Sequence, residues 1–500
     1  MNYKHIKSSL VALAMPFLLW GQAINVKTIP LIRIQQIIMA PSYNAGMGGI
    51  SIGLGDALAD GFTNPALLAL VERNFSFAAP YQHSWTSRTG VFNPWGQVPV
   101  NTFQGSMVQG MPLDVVRRFE LRNGSIRATA GLVLSMEQLR HRSLSLVFQD
   151  PDTRAWNRAL QLRRVNWPQS GMLALQFPDK GISVGIGVDR VILKGVDGIP
   201  LLYPGASELV QDGAIGQYRL GISLDRPNDE HLEFLLLHKR SRMEQIAHYD
   251  WQESLYAQDE EISWLLSAKG RKPLETGALA GIELTLQRKW HPKIPDYPAP
   301  EIRIPRDPGI TNAGRMGLGI SNRSGKILFA MDAAVEIIDS KTWGDTTAAV
   351  TADNGSIIAA GEPLFSNDYF FVNTILRVGA EYHVSEKLRL QGGWFTTMYS
   401  VDYYHKDFVT GETITATPQN WWREPGVTAG VVARLGNLEW IFQTTRRRIA
   451  SDQQTDSRWW NFNSPGVRTA VAGDLLVPPT LTGFADVPIV LYKLTLVYRL

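Results

Sequence analysis

The chain has 500 residues, of which 44% are hydrophobic and 10% aromatic, and its formal net charge is +3 at pH 7. A nearly neutral chain without blocks of like charge has no electrostatic basis for binding nucleic acid, so no nucleic-acid partner is expected. The sequence contains no cysteine, which excludes disulfides, thiolate metal sites and a cysteine nucleophile. Backbone pairing and packing must therefore stabilise the fold.

Residues 1–23 predict a secretory signal peptide rather than a buried N-terminal helix. Lys4, His5 and Lys7 form a basic start, residues 10–19 are apolar, and Gly21-Gln22-Ala23 is a small-x-small cleavage site. No later run reaches the ~18 apolar residues of a membrane-spanning helix. The mature chain is therefore expected in the periplasm, in the outer membrane or outside the cell.

A glycine-rich stretch, residues 43–80, leads into sequence that alternates like a β-strand. Its glycines allow tight bends against other backbone, and Asn64-Pro65 is a turn signal. The stretch lacks the G-x-G-x-x-G spacing of a dinucleotide loop, because Ser51 and Leu58 stand where the third glycine belongs. A plain glycine-rich loop before a domain is the alternative.

This stretch resembles the N-terminal signature of the FadL-type outer-membrane transporters of hydrophobic compounds. The matching residues are Gly46-Met47-Gly48-Gly49, Ala59-Asp60 and Asn64-Pro65-Ala66-Leu67, followed by a first strand near Asn74. The resemblance implies a plug or hatch over residues 24–73 and an outer-membrane barrel over 74–500. Its plug residues would be Gly46, Gly48, Gly49, Asp60, Asn64, Pro65 and Ala66. The PorV/PorQ-like barrels of surface-protein secretion open in a similar way and are the alternative family.

Beyond Asn74 the hydrophobic pattern has period 2. In residues 372–383 and 387–399, apolar residues such as Leu376 and Leu390 alternate with polar ones such as Arg377 and Arg389. In a membrane barrel the apolar face contacts lipid and the polar face lines the lumen, whereas in a soluble sandwich the apolar face forms the core. The signal peptide and the glycine-rich motif favour the barrel.

Short turns and long connections alternate along the chain, which is typical of periplasmic turns and extracellular loops. The sequence predicts an all-β, transmembrane antiparallel barrel of about 14 strands. The predicted strands are 74–81, 126–136, 143–148, 171–178, 182–193, 216–225, 231–247, 315–322, 327–338, 372–383, 387–400, 425–434, 438–449 and 488–500. Residues 278–288 also have a strand pattern, and we interpret them as an extracellular extension or part of a lid.

The last residues, 492–500, alternate apolar and polar side chains and resemble the terminal strand that barrel-assembly machinery recognises. An edge strand of a soluble protein is the alternative for this segment. Charged residues at polar positions are expected to face the lumen, where they must pair or stay hydrated. They are Arg127, Arg219, Glu233, Asp332, Glu336, Arg377, Glu381, Arg389, Glu439, Arg447, Lys493 and Arg499.

Catalysis is not expected. Asp332 and Glu336 share a strand face but lie ~13 Å apart along it, too far for two carboxylates that act on one bond. The histidines have no metal-ligand spacing, so we predict no catalytic residue, metal or cofactor. In the long connections, residues 289–310 are proline-rich and should be extended. Trp421, Trp422, Trp459 and Trp460 are candidates either for anchors at the membrane interface or for an apolar access site for ligand.

The sequence therefore predicts an outer-membrane channel for hydrophobic small molecules, such as long-chain fatty acids, in a Gram-negative-type bacterium. Its expected partners are outer-membrane lipid, a hydrophobic small-molecule ligand and the barrel-assembly machinery. One alternative is a PorV/PorQ-like barrel that secretes or anchors surface proteins without transport. The other is a soluble exported β-protein, such as a carbohydrate-binding module.

We expect the protein extracted from membranes to begin at Ile24, because cleavage is predicted after Ala23. Intact-mass spectrometry would check this boundary. A mature chain that still carries Met1 would show that the signal-peptide prediction is wrong.

Overall fold

The computed structural model describes residues 41–56, 58–71, 74–89, 101–110, 112–121, 125–147, 156–196, 208–226, 230–248, 254–291, 309–346, 348–416, 421–449 and 487–499. In these ranges the protein is almost entirely antiparallel β-sheet. The predicted signal peptide lies outside them. None of the helices in the described ranges is long and apolar enough to span a bilayer.

The strands vary in length from two residues to 23. They are β1 (Asn74–Thr89), β2 (Asn101–Gly110), β3 (Leu113–Leu121), β4 (Ile126–Leu134), β5 (Glu137–Val147), β6 (Trp156–Phe177), β7 (Ile182–Val196), β8 (Glu208–Arg226), β9 (Glu230–His248), β10 (Leu255–Pro273), β11 (Ala278–His291), β12 (Gly309–Ser324), β13 (Ile327–Asp345), β14 (Val350–Thr351), β15 (Ile357–Ile358), β16 (Pro363–Ser385), β17 (Leu388–Asp407), β18 (Thr413–Ala416), β19 (Trp421–Leu435), β20 (Leu438–Ile449) and β21 (Val487–Arg499).

Nineteen of these strands form one sheet, and β14 and β15 form a separate pair. Strands β2 and β3 are two halves of one strand beside β1, and β4 and β5 are likewise two halves beside β6. Strand β18 pairs with β17. The sheet therefore has sixteen strand positions. The pairings lead from β1 round to β21, which itself pairs with β1.

The structure corrects the predicted strand list at three places. Residues 278–288, interpreted as an extension or lid, lie in β11, which pairs fully with β10 and β12. Strand β10 falls within what was predicted as a long connection. The predicted strands 126–136 and 143–148 belong to one strand position, and β2 and β3 occupy the predicted connection 82–125. Mixed apolar and polar faces hid these strands from a period-2 pattern.

The two faces of the sheet differ, as the alternation predicted. One face, called the inner face here, contacts residues 41–71 and carries buried polar residues such as Gln391 and Glu381. The opposite, outer face exposes large apolar side chains on strand after strand, among them Leu390 beside Gln391. The glycines in two of the short turns, Gly325 and Gly436, have positive φ, a conformation that glycine adopts without steric cost.

Residues 41–71 lie against the inner face as an irregular segment. This segment, called the inner segment below, contains a 3-10 helix (Asn44–Met47), helix α1 (Ala59–Thr63) and a second 3-10 helix (Pro65–Leu70). Its buried apolar side chains pack onto the sheet at three places. Met47 and Ile50 contact Leu328 and Ala330; Leu58 contacts Val432, Ile441 and Val497; Leu68, Ala69 and Val71 contact Val116, Met172 and Ala174. Strand β1 begins at Asn74, where the first strand was predicted.

The outer face allows a test of lipid contact. Leu318 lies on β12 in the middle of the outer face and is 56% exposed. If this face contacts lipid, Leu318→Arg should lower the free energy of unfolding by ~2–4 kcal/mol. Leu435→Arg, on the same face beside a short turn, should cost only ~0–1 kcal/mol. Denaturant unfolding in lipid vesicles measures both, and equal costs would show that the outer face does not contact lipid.

Candidate functional site

The inner segment is fastened to β13 by one carboxylate. Asp332 Oδ2 accepts the backbone N–H groups of Ser51 and Ile52 at 2.7 and 2.9 Å, and Oδ1 accepts that of Gly53 at 2.8 Å. Asp332 is only 2% exposed. Its buried charge is therefore stabilised by these N–H donors and by Arg377, the residue opposite it on β16. The irregular backbone gains the acceptors that a strand would have supplied.

Glycines of the sheet let the inner segment lie against its backbone. A Cβ at Gly319 would overlap Gly53 N, and one at Gly379 would overlap the backbone of Met47. Glycine inside a strand often marks such a close approach of another backbone. The same holds at several other inner-face glycines: Gly185, Gly221, Gly281 and Gly393.

The first 3-10 helix is held by neutral polar side chains. Thr428 Oγ1 accepts from Gly48 N and donates to Gly46 O, each at 2.8 Å. Gln391 Nε2 donates to Tyr43 O at 2.9 Å, and Gln443 Nε2 donates to Ser42 O at 2.8 Å. Side chains from β17, β19 and β20 thus satisfy the backbone carbonyls of this helix and of the residues before it.

A charged network lies at the start of the inner segment, near the short turns. The Tyr43 hydroxyl donates to Glu439 Oε2 at 2.5 Å, and Arg389 lies 5.1 Å above the Tyr43 ring. Glu439 also pairs with Arg389 at 3.1 Å and with Arg499 at 3.3 Å. Burial, with the hydrogen bond and charge of Glu439, raises the pKa of the Tyr43 hydroxyl well above its usual value. The phenol therefore stays a hydrogen-bond donor.

A second charged cluster holds helix α1 to β9 and β10. Arg271 Nη2 lies 3.1 Å from Asp60 Oδ2 and 3.7 Å from Glu233 Oε1. Lys269 Nζ lies 3.9 Å from Asp60 and 3.7 Å from Glu233. Asn64 Nδ2 donates to Glu233 Oε2 at 3.3 Å. Two carboxylates and two cations balance each other here, which makes their burial tolerable.

The turn predicted at Asn64-Pro65 is present and is closed by a local contact. Asn64 Oδ1 accepts from Ala66 N at 3.1 Å, an Asx-type turn that starts the second 3-10 helix. The turn lies on Gly185 and Gly221, where a Cβ would overlap Pro65 and the Asn64 side chain, respectively. Ala66 is fully buried.

Arg219 binds the end of helix α1, and its charge is balanced by Asp189. Its Nη1 donates to the carbonyl oxygens of Phe62 and, at 3.2 Å, Thr63. Its Nη2 donates to Asp189 Oδ1 at 2.5 Å and to Ser170 Oγ at 3.1 Å. The carboxylate of Asp189 therefore balances the guanidinium charge.

A cavity of about 330 Å³ lies between the inner segment and the sheet at this point. Its lining is mainly apolar, with Arg219 and Asp189 on one side. The lining residues are Pro41, Phe62, Thr63, Pro112, Val133, Ser135, Pro168, Gln169, Ser170, Asp189, Val191, Ile215, Gln217, Arg219, Leu235 and Leu237.

The sheet is interrupted beside this cavity. β3 begins after Pro112, and β4 and β5 are separated by Ser135 and Met136. Residues 167–168 of β6 face the second interruption, where Ser135 N donates to Pro168 O at 2.9 Å. Prolines lack the N–H that a ladder needs, so pairing is weakened where the cavity meets the sheet.

The structure brings most of the predicted charged residues to the inner segment. Those that contact it are Arg219, Glu233, Asp332, Arg377, Arg389 and Glu439. Glu381 instead bonds His383 and Gln391 at 2.7 and 2.8 Å, and Glu336 accepts from Asn373 at 2.7 Å. Lys493 is buried on the inner face. Arg127 lies on β4 with no hydrogen bond to the inner segment in the described residues.

The two tryptophan pairs predicted in loops lie in a strand or outside the described residues. Trp421 and Trp422 were assigned to a loop, but their backbone lies in β19, paired with Ser400 and Tyr399. Trp459 and Trp460 lie outside the described residues, as do the side chains of Trp421, Trp422 and Arg447. The access site predicted from these tryptophans stays a prediction.

Sequence reasoning missed several residues that hold the inner segment. The neutral ones are Thr428, Gln391 and Gln443, which a search for charged residues passes over. Lys269 and Arg271 lie on β10, the strand that was not recognised. The inner-face glycines carried a usable signal, because Gly379 stands between Arg377 and Glu381 on the polar side of the alternation.

No protein-family model and no curated protein matches this chain. Solved structures are similar over most of its length. The Pseudomonas putida toluene transporter TodX has a TM-score of 0.40 and 11% identity, covering 91% of this chain and 96% of TodX. The Ralstonia pickettii toluene transporter TbuX has a TM-score of 0.37 and 13% identity, covering 92% and 98%. A Pseudomonas aeruginosa FadL homologue has a TM-score of 0.35 and 12% identity, covering 92% and 99%.

The family suggested by the glycine-rich motif is thus also the family to which these structures belong. With TM-scores below 0.5, the likenesses support no conclusion about what this chain binds.

Asp332→Asn tests how firmly the inner segment is held. An amide oxygen can replace Oδ2, but its NH₂ group would then face Gly53 N–H, which loses its acceptor. The cost should be about 1.5–3 kcal/mol, and the loosened segment should admit ions. Conductance in planar bilayers should therefore rise relative to the parent.

Glu336→Gln is the matched control, because Glu336 lies on the same strand and face and bonds Asn373 instead of the inner segment. It should leave the conductance unchanged. If Asp332→Asn were as closed as the parent, the carboxylate would not be what holds the segment.

Proposed function

We propose that this chain forms an outer-membrane β-barrel of sixteen strand positions that conducts uncharged hydrophobic small molecules. In this proposal the inner segment closes the bore. The observation that carries it is the mainly apolar cavity between that segment and the proline interruptions of the wall.

The outer face supports a membrane location. Large apolar side chains such as Ile186, Leu220, Leu284, Leu318 and Val427 are about half exposed. Soluble proteins rarely expose contiguous apolar surface on this scale. A lipid-facing apolar band around a polar interior is the pattern of transmembrane barrels. The pairing of β1 with β21 is consistent with a closed wall.

The inner segment supports the idea of a gate. It contacts the inner faces of strands that lie far apart in the sheet, from Val116 and Met172 on β3 and β6 to Leu328 and Ala330 on β13. Side chains of the sheet mostly bond the backbone groups of the inner segment. These contacts hold the segment in one position, because its backbone groups have no strand partner. A solute cannot pass straight down the bore while this segment is in place.

The interrupted strands support a sideways route. At Pro112, Ser135 and Pro168 the wall has fewer ladder bonds than elsewhere, and all three residues line the cavity. A hydrophobic solute captured near the long connections would enter the cavity and leave between these strands.

The cavity favours small and uncharged ligands. About 330 Å³ is at the lower end of the usual range for ligand pockets. Arg219 is the cation among the described lining residues, and Asp189 and two backbone carbonyls already occupy it. A ligand carboxylate would have to displace Asp189. Long-chain fatty acids, the ligands implied by the resemblance, are therefore the less favoured substrate class within this proposal.

Binding of two probes of similar size tests the proposal. Naphthalene should bind the purified full-length protein, and 2-naphthoate should bind at least about tenfold more weakly, since its charge would lie unpaired in an apolar cavity. Val191→Trp should fill the cavity and abolish naphthalene binding. Ile192→Trp, on the adjacent outer position of β7, should bind naphthalene as the parent does. Fluorescence titration in detergent measures all four cases.

Uptake of naphthalene across the outer membrane of expressing cells should follow the binding order. Equal binding by Val191→Trp and the parent would exclude this cavity as the ligand site. A protein that inserts into the membrane but supports no uptake would favour the PorV/PorQ-like alternative.

A further inference from the structure

The outer face of β7–β11 has an aromatic row that crosses several strands. Tyr218, His238 and Trp264 lie directly opposite one another on β8, β9 and β10. The Tyr218 and His238 rings stack at 6.4 Å, and the His238 and Trp264 rings lie 4.2 Å apart. Tyr218 and Trp264 are 58% and 51% exposed. Aromatic rows of this kind mark the edge of the apolar band in membrane barrels.

The next outer row toward the long connections has two arginines with a glycine between them. Arg190, Gly216 and Arg240 are cross-strand neighbours on β7, β8 and β9. Nothing lies within 4 Å of where a Cβ of Gly216 would be, so the glycine leaves an open notch. Strand spacing places the backbones of the two arginines roughly 10 Å apart, a distance from which two guanidinium groups can reach one phosphate.

More charges surround the notch. Arg288 shares a row with Trp264, and Arg242 follows Arg240 on the outer face. Glu260 pairs with Arg240, and Glu244 lies 3.9 Å from Arg242. Three acidic residues, Glu260, Glu244 and Asp212, thus face four arginines and Lys194, counting Arg190, and leave a net positive patch at the membrane edge.

The same rim has the opposite charge on β16 and β17. There and on the neighbouring β13 the outer positions carry Asp339, Asp368 and Asp402 against Lys341 and Lys406, and Lys341 on β13 pairs with Asp368 at 3.7 Å. An anion at the membrane surface would therefore be attracted to the β7–β9 side and repelled on the other.

We propose that the notch at Gly216 binds the phosphate of an anionic lipid headgroup in the outer leaflet. Arg190 and Arg240 bind the phosphate from both sides, and the Tyr218–His238–Trp264 row packs against the lipid below it. Guanidinium groups fit phosphate geometry through paired N–H donors, and arginines extend from apolar surface to headgroup level. The partner is a phosphate-bearing lipid, and the proposal rests on the membrane location given under Proposed function.

Lipid retention by the full-length protein tests the proposal. Nanodiscs of phosphatidylcholine with a small fraction of diphosphoryl lipid A serve as the source, and native mass spectrometry counts the lipid A that stays bound. Arg190→Gln and Arg240→Gln should each lower retention about fivefold, and Gly216→Glu should abolish it. Glu260→Gln should raise retention, because Arg240 loses its competing carboxylate.

Lys341→Gln is the matched control, since it removes an outer-face cation on the acidic side of the rim. Its retention should equal that of the parent, and inorganic phosphate should not displace the lipid. Retention that is equal in all variants, or that falls equally in Lys341→Gln, would overturn the headgroup site.

The same samples, titrated with naphthalene, separate this proposal from the transport proposal. Variants that bind naphthalene normally are folded, so their lipid retention is interpretable. Lipid A retention without naphthalene binding would overturn transport alone. A protein absent from the membrane fraction would overturn both proposals.

Discussion

The structure depends on pairing two sets of buried polar groups, the backbone groups of the inner segment and the charged side chains of the inner face. An irregular backbone against the inner face of a sheet needs hydrogen-bond partners, and buried charges on that face need partners as well. Asp332 meets both needs, because its two oxygens take the N–H groups of Ser51, Ile52 and Gly53. Arg219 and Arg377 do the same for backbone carbonyls. The polar inner face and the irregular inner segment therefore satisfy each other's hydrogen-bonding groups.

Close approach makes these bonds possible. Side chains as short as those of Asp332 and Thr428 reach the inner segment because its backbone lies directly on strand glycines. Near the cavity the arrangement changes, because the long side chain of Arg219 makes the contact with the inner segment. Apolar residues such as Val191 and Ile215 line the space beside Arg219. Ligand space thus exists where the segment stands away from the sheet, and this is also where the strands are interrupted.

Much of this fold could be predicted from the sequence. Alternation in residues 372–399 correctly separated Leu390 from Gln391, and Asn64-Pro65 correctly predicted a local turn. Pattern alone could not predict which inner charge meets which backbone group, because such contacts join residues hundreds of positions apart. It also missed β2 and β3, which are broken by Pro112, and β10, whose two faces are both mixed. A strand whose inner face binds another part of the chain can have apolar and polar residues on both faces, and the alternation in its sequence is then weak.

The hairpin of β10 and β11 also shows that the sheet and the inner segment depend on each other for partners. The sequence predicts an extension or lid at 278–288 and only a long connection at β10, yet the residues of this hairpin are central to how the inner segment is held. Lys269 and Arg271 balance Asp60 and Glu233, and Gly281 receives the backbone of Ile52. A sheet without this hairpin would leave Asp60 without its cations and Ile52 without room. The strand pairing and the course of the inner segment are therefore matched, because one segment must reach partners on strands that lie far apart in the same sheet.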